Sequence, residues 1–193
     1  MDTETADEIM EATGRALCEH GYADLTMQRI AEESSLTTAA IHYHFDTKED
    51  LLNAFLEDLI ERFERQLTCD QSDPRDRLMA YLDAVFTPPE SGDDLPVALM
   101  ELKAQAPYHD VFRNRFLELD EAMQSILASI VREGIEAGHF EETDPEALAR
   151  LVTTTINGAH VRTVSLGEPA DATRDVVEEY LTMRLGWTPE VVA

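Results

Sequence analysis

"LTTAAIHYHFDTKEDLL", residues 36–52, is the stretch from which the fold of this chain can be deduced. The chain has 40 carboxylates among its 193 residues, yet the run from Ser34 to Phe45 contains no Asp, Glu, Lys or Arg. Thr37 is a suitable N-cap for a helix that continues to His44, with Ile41 as its apolar anchor. The stretch therefore predicts a short helix whose exposed side is polar but uncharged.

A second short helix is predicted just before this one. Thr26 can cap a helix that runs to about Glu33, in which Ile30 and Ala31 face inward. The tripeptide SSL separates the two helices, and the small side chain of Ala31 allows them to cross closely. Two short helices of this length and spacing predict a helix-turn-helix at about residues 26–45.

The predicted exposed side of the second helix could approach DNA. Short or planar side chains can hydrogen-bond base edges or contact thymine methyl groups in the major groove, whereas a carboxylate there would face phosphates. Residues 26–48 have a net charge of −1 and the rest of the chain −24. Small helix pairs are also common in all-helical cores, so the pattern alone leaves both interpretations open. The side chains concerned are Thr37, Thr38, Ala40, His42, Tyr43 and His44.

Helical periodicity continues through nearly the whole chain. No segment alternates for long enough to indicate a sheet, and residues 87–94, TPPESGDD, are predicted to form a loop. The fold class is therefore expected to be all-α. End signals, including a capping box at Thr47 and Asp50 and Asp-Pro pairs at 73–74 and 144–145, place the other helices. These are expected at about 3–20, 47–63, 74–86, 95–105, 108–138, 145–164 and 171–185.

The charge of the chain is strongly negative. Its formal net charge is −25, and its basic residues are two lysines and thirteen arginines. A folded, acidic, lysine-poor chain indicates a salt-rich cytoplasm, where self-repulsion is screened. An acidic protein from an ordinary cytoplasm is the alternative.

The spacing of the cysteines and the length of the apolar runs indicate the cellular compartment of the protein. Cys18 and Cys69 form no CxxC pair, which fits a reducing cytosol rather than a disulfide scaffold. The sequence contains no apolar run of 18 residues and begins with an acidic segment rather than a basic one. We therefore expect a cytoplasmic protein without a signal peptide or a membrane span.

The sequence offers little chemistry for catalysis or metal binding. His42 and His44 are two residues apart, so on a helix they point about 200° from each other and cannot share a metal ion. The sequence has no glycine-rich phosphate loop, nucleophile elbow or HExxH motif. We expect no metal, no cofactor and no enzymatic activity. A small helical enzyme is a remote alternative.

Two further sets of residues are candidates in the later helices. The first could line a small-molecule pocket, although such residues at helical spacing more often form a core, and Lys103 could simply form a surface salt bridge. It comprises Met100, Lys103, Phe112, Phe116, Met123, Asn157 and His160. The second is an apolar stripe on the last helix, which suits a four-helix dimer interface with the preceding helix. It comprises Val176, Val177, Tyr180, Leu181 and Leu185.

Residues 25–52 resemble the DNA-binding domain of the TetR family of transcriptional regulators. The shared features are Thr26, Ile30-Ala31, Leu36, the run Tyr43-His44-Phe45, and Lys48 followed by Leu51-Leu52. The resemblance implies a homodimer that binds a palindromic operator and releases it when a small molecule binds. It also implies phosphate contacts from Thr26, Arg29, Tyr43 and Lys48. By the same resemblance, Thr37, Thr38, Ala40, His42 and His44 would lie along the major groove.

Three residues depart from the family pattern. Ser35 stands where the turn usually has glycine, and a positive φ there would cost serine about 1 kcal/mol. His42 replaces the usual tyrosine. Asp46 occupies a position that is often basic or proline, and it could cap the following helix.

The later part of the chain is more loosely similar to BetI-like members of the same family. The similarity covers about residues 97–168 and includes REGIEAGHF, an Asp-Pro pair and INGAHVR. We therefore expect a helix-turn-helix domain at 3–63 and a ligand-binding and dimerisation domain at 64–193. A helical ligand-binding or protein-interaction module that does not bind DNA is the alternative.

Overall fold

The computed structural model describes residues 3–67, 73–86 and 95–187 of the chain. Within these ranges it contains α-helices and no β-strand, which confirms the all-α prediction. The loop predicted at 87–94 and Cys69 lie outside the described residues. The helices are α1 Thr3–Asp24, α2 Met27–Glu32, α3 Thr38–His44, α4 Lys48–Leu67, α5 Pro74–Phe86, α6 Leu95–Gln105, α7 Asp110–Glu136, α8 Pro145–Leu166 and α9 Ala170–Leu185.

The predicted capping residues lie at the starts of these helices. The side chain of Thr26 accepts a hydrogen bond from the Arg29 amide at 3.2 Å. The Thr47 amide donates to Asp50 Oδ2 at 3.2 Å, and the Asp50 amide donates to Thr47 Oγ1 at 3.1 Å. Asp144 accepts hydrogen bonds from two amides in the first turn of α8. These side chains satisfy amide groups that have no partner within their own helices.

Helix α1 contains a backbone break at Gly21. This residue has φ 70° and ψ 169°, a conformation that glycine adopts without a steric penalty. A Cβ atom there would lie 2.8 Å from Oε2 of Glu101, the atom that accepts a hydrogen bond from the Tyr22 amide at 2.6 Å. Gly21 therefore ends the regular part of α1, as the sequence predicted, and allows α6 to approach closely.

The contacts divide the chain into two compact units. The first unit consists of Met1–Arg62 and Pro89–Leu117. Segment 89–117 belongs to it because α6 packs against α1 and because Leu102 and Phe112 are buried in the same core as Ile9. This division differs from the single boundary expected after residue 63, because the first core recruits a segment that is distant in sequence.

The second unit consists of Phe63–Pro88 and Glu118–Ala193. In its described part, α9 packs against α5 and α8. Tyr81 and Leu127 are fully buried in its core, and the rings of Phe140 and Trp187 meet edge to face at 6.0 Å. No described helix in either unit combines the length and apolarity needed to cross a membrane.

Three residues of the apolar stripe predicted on α9 lie in a core rather than on the surface. Val177, Leu181 and Leu185 are buried in the core of their own unit, so the prediction that they form a dimer interface is wrong. Val176 is 62% exposed and Met183 is 72% exposed. The helix thus has one apolar face inside the unit and a second, smaller one on its surface.

Candidate nucleic-acid interface

The helix-turn-helix is held together by a few apolar side chains. Ile30 of α2 and Ile41 of α3 are fully buried, and Ala31 and Leu36 are half-buried against the same core. Because α3 has only seven residues, it is too short to be stable alone. Its position is therefore set by packing against the first unit and by the Thr37 cap, whose side chain accepts a hydrogen bond from the Ala40 amide at 3.2 Å.

The exposed side of α3 carries the aromatic residues expected to contact DNA. His42, Tyr43 and His44 are exposed, and Tyr43 is 85% exposed. The rings of Tyr43 and His44 are 5.0 Å apart and almost perpendicular. Both can donate hydrogen bonds, so this end of α3 can contact base edges or phosphates without a lysine or an arginine.

The start of α3 differs slightly from the prediction. Thr37 and Ala39 are exposed, whereas Thr38 and Ala40, which were also predicted to be exposed, are half-buried. Ala39 was not among the predicted contact residues. Its exposure could have been foreseen, because residues two positions before and after the buried Ile41 point away from the core.

The turn between α2 and α3 contains no residue with positive φ. Ser35 instead donates two hydrogen bonds to Oε1 of Glu8, one from its amide and one from its hydroxyl, both at 2.7 Å. These bonds hold the pKa of the Glu8 carboxyl below its usual value. Serine thus replaces the usual glycine without the expected strain.

Asp46 is not the cap of α4, because Thr47 fills that role. The prediction that Asp46 could cap this helix is therefore wrong. Asp46 is exposed just beyond the end of α3. Its carboxylate lies next to the surface that would contact DNA.

The basic side chains predicted to contact phosphates donate hydrogen bonds to backbone carbonyls of the protein. Arg29 is half-buried, and its Nη1 donates to the Asp24 carbonyl at 2.7 Å. Lys48 Nζ donates to the Tyr22 carbonyl at 3.1 Å and lies 4.3 Å from the centre of the Tyr22 ring. Lys48 therefore ties the start of α4 to the end of α1.

The seven residues predicted to line a ligand pocket do not share a unit. Met100, Lys103, Phe112 and Phe116 belong to the first unit, where Phe112 is fully buried in the core. Met123, Asn157 and His160 belong to the second unit. A pocket role for these residues stays a prediction.

The members in the second unit make specific contacts of their own. Asn157 Nδ2 donates to the Thr153 carbonyl at 3.1 Å and to Asp120 Oδ1 at 3.3 Å. His160 Nε2 lies 2.9 Å from the Val85 carbonyl oxygen. Met123 is buried in the core.

A cavity of about 290 Å³ lies between α7 and α8 of the second unit, and none of the predicted pocket residues lines it. Its lining is mostly polar and includes Gln124, Ser129, Arg132 and Glu146. Among the described residues, no group of three or more His, Cys, Asp or Glu side chains is arranged to hold a metal ion.

Comparison with known families assigns both parts of the chain. Residues 9–55 match the model of bacterial regulatory proteins of the tetR family. Residues 74–186 match the C-terminal domain of BetI-type transcriptional repressors. The two matches together span more than half of the chain.

Similar proteins support the same assignment. A TetR transcription regulator from Haloarcula marismortui is 42% identical, with 95% of this chain and 99% of that chain covered and a TM-score of 0.87. The repressor AcnR from Corynebacterium diphtheriae is 26% identical over 89% of this chain and 88% of its own length. A regulator from Saccharomonospora viridis in complex with choline is 23% identical, with 95% and 98% covered and a TM-score of 0.82, and it shares the fold. With its helix-turn-helix exposed and both family models matched, the chain belongs to the TetR family of DNA-binding transcriptional regulators.

Proposed function

We propose that this protein is a homodimeric repressor that binds a palindromic operator with α3 in the major groove. The observation that carries the proposal is the exposed, uncharged surface of α3, which projects Tyr43 and two histidines from a capped and buried support. A helix with this presentation can reach base edges while its neighbours contact the backbone.

The contacts divide into two roles. Thr26 and Tyr43 position the protein, because their hydroxyl groups can donate hydrogen bonds to phosphate oxygens. Thr38, His42 and His44 read bases in the major groove, and Ala39 and Ala40 leave room for close approach or contact thymine methyl groups. Lys48 and Arg29 contribute positive charge that attracts phosphates, while each also donates a hydrogen bond to a backbone carbonyl.

The dimer forms through the surface faces of α8 and α9. Leu151 and Val161 of α8 are 47% and 46% exposed, and Val176 and Met183 of α9 are still more exposed. Val176 and Met183 are seven residues apart and therefore lie on one face of the helix. A two-fold dimer places two recognition helices against the two halves of a palindrome.

A small-molecule effector releases the operator. The effector binds a state whose recognition helices do not match operator spacing, and DNA binds the state in which they do, so each ligand disfavours the other. Choline is a reasonable first compound to test, because one similar regulator was solved with it and because a chain of net charge −25 attracts a cation.

The decisive experiment is selection of binding sites from a random duplex library, followed by gel shifts. The wild-type protein should enrich a palindrome, and Tyr43→Ala should lose most of its affinity for that sequence. Tyr108→Ala is the matched control, since Tyr108 is 82% exposed in the same unit but lies outside the helix-turn-helix.

The same experiment addresses the alternative. A ligand-binding or protein-interaction module without DNA binding would enrich no sequence under any condition. That outcome would refute the proposed repressor function.

A further inference from the structure

The DNA-binding end of the chain is itself acidic, which is unusual for a surface that must approach phosphates. Residues 3–50 contain eleven carboxylates and three basic side chains, a net charge of −8. DNA-binding proteins ordinarily use lysine and arginine to displace the cations condensed around DNA, and affinity then falls steeply with salt. The source of affinity must therefore differ in this protein, provided that it binds an operator as proposed above.

The three basic side chains are already engaged within the protein. Arg15 Nη2 donates to the Glu33 carbonyl at 2.7 Å, and its Nε lies 3.6 Å from the Glu33 carboxylate. Arg29 and Lys48 donate to backbone carbonyls as described above. None of the three is an extended, uncommitted cation, so each has to give up or share a hydrogen bond before it can neutralise a phosphate.

Carboxylates flank the contact surface at or just beyond the ends of both helices. Glu32 is exposed at the end of α2, and Asp46 is exposed two residues after the end of α3. The groups between them that can contact DNA include the hydroxyl of Tyr43 and the rings of His42 and His44, and none of them belongs to a lysine or an arginine. Attraction therefore depends on hydrogen bonds and apolar contacts, while long-range electrostatics oppose the approach of the duplex.

We propose that operator binding by this protein releases little or no net cation, so that its affinity holds or rises as salt increases. Neutralised phosphates contribute a slope of about −0.9 each, and six basic side chains in a dimer would give about −5 in log affinity against log salt. Repulsion by the flanking carboxylates acts in the opposite direction and is strongest at low salt, where the Debye length is long. The two effects offset each other.

The test is a titration of fluorescent duplex with protein from about 0.2 to 2 M KCl at pH 8, where histidine is neutral. The duplex is the sequence selected from a random library at about 1 M KCl. Circular dichroism at each salt concentration defines the range in which the protein is folded, and affinities are compared only within it. We expect affinity either to rise or to fall by less than about tenfold across this range. A slope of about −5 would instead lower the affinity about 10⁵-fold.

A charge variant identifies the cause. Glu32→Gln with Asp46→Asn should bind about tenfold more tightly than wild type at the lowest salt and should lose that advantage at the highest. Glu121→Gln with Glu142→Gln is the control, because it makes the same change in net charge at exposed sites in the second unit. The control should follow the wild-type curve.

Two results would overturn the inference. One is a weakening of more than tenfold for the wild type while specific binding persists, which would leave the repressor function intact. The other is a control variant that matches the Glu32/Asp46 variant, which would assign the effect to total charge. If no duplex is selected at any salt concentration, both this inference and the repressor function fail.

Discussion

Ser35 and Glu8 are joined by two hydrogen bonds to a single carboxylate oxygen, both 2.7 Å long. The pair connects the turn of the helix-turn-helix to α1, 27 residues earlier in the chain. No residue of the turn has a positive φ. The turn is therefore held by a carboxylate rather than by the backbone freedom of a glycine.

Protonation of Glu8 should weaken this connection. The folded-state pKa of Glu8 lies below its usual value of 4.5, with the Ser35 hydroxyl as the first cause. The stabilisation is therefore fully present above about pH 4.5 and is lost as the pH falls through the lowered folded-state pKa. We expect Ser35→Ala to lower the free energy of unfolding at pH 7, and the difference from wild type to shrink in acid.

Urea unfolding of both proteins across this pH range would check the prediction. Glu8→Gln serves as the control, because it keeps an acceptor without the charge and should flatten the pH dependence. A constant difference between wild type and Ser35→Ala at every pH would contradict the role of the carboxylate.

Tyr22 should stabilise the start of α4 through its ring rather than its hydroxyl. The Lys48 ammonium lies 4.3 Å from the ring centre, and its hydrogen bond goes to the Tyr22 backbone. We expect Tyr22→Leu to cost about 1–2 kcal/mol because it removes the cation–π interaction, and Tyr22→Phe to cost much less. Chemical denaturation measures both; equal losses of stability would show that the hydroxyl accounts for the whole effect and the ring for none of it.

The two faces of α9 should respond differently to mutation. Leu181 is fully buried in its own unit, so Leu181→Ala should destabilise the fold by about 2–5 kcal/mol. Met183→Glu places a charge on the exposed face and should give folded monomers by light scattering. Leu117→Glu is a control at a 53% exposed leucine in the first unit. A dimeric Met183→Glu protein would place the interface elsewhere.

Residues on α3 should separate affinity from specificity. Tyr43→Phe should weaken binding to all sequences to a similar extent, because its hydroxyl contacts phosphate in the proposed complex. His44→Ala and Thr38→Ala should each change base preference by about 1–3 kcal/mol, because each removes a side chain that reads a base edge. Competition against a randomised operator library distinguishes these outcomes, and an unchanged preference in both variants would exclude them as base-reading residues.

The capping and turn residues were predictable from sequence because they act locally. Thr26, Thr37 and Thr47 each bond to an amide three residues later, so the signal lies within four positions. The aromatic exposed end of α3 was predictable for a similar reason, since one buried isoleucine fixes which side faces outward.

Contacts between distant segments were not predictable in the same way. An apolar stripe shows that a face will be covered, but it does not show whether the same chain or a second copy covers it, and Leu181 illustrates the difference. The partners of Lys48 and Ser35 lie 26 and 27 residues away, respectively. No local pattern identifies them.

The assignment of segment 89–117 to the first unit has a consequence for making hybrid regulators. Exchanging the DNA-reading end between two relatives by a single crossover near residue 62 would separate α1 from the α6 that packs on it. The hybrid would then combine Leu102 and Phe112 from one parent with the surface of α1 from the other. A functional graft therefore needs two exchanged segments, with the later one carrying α6 and the start of α7.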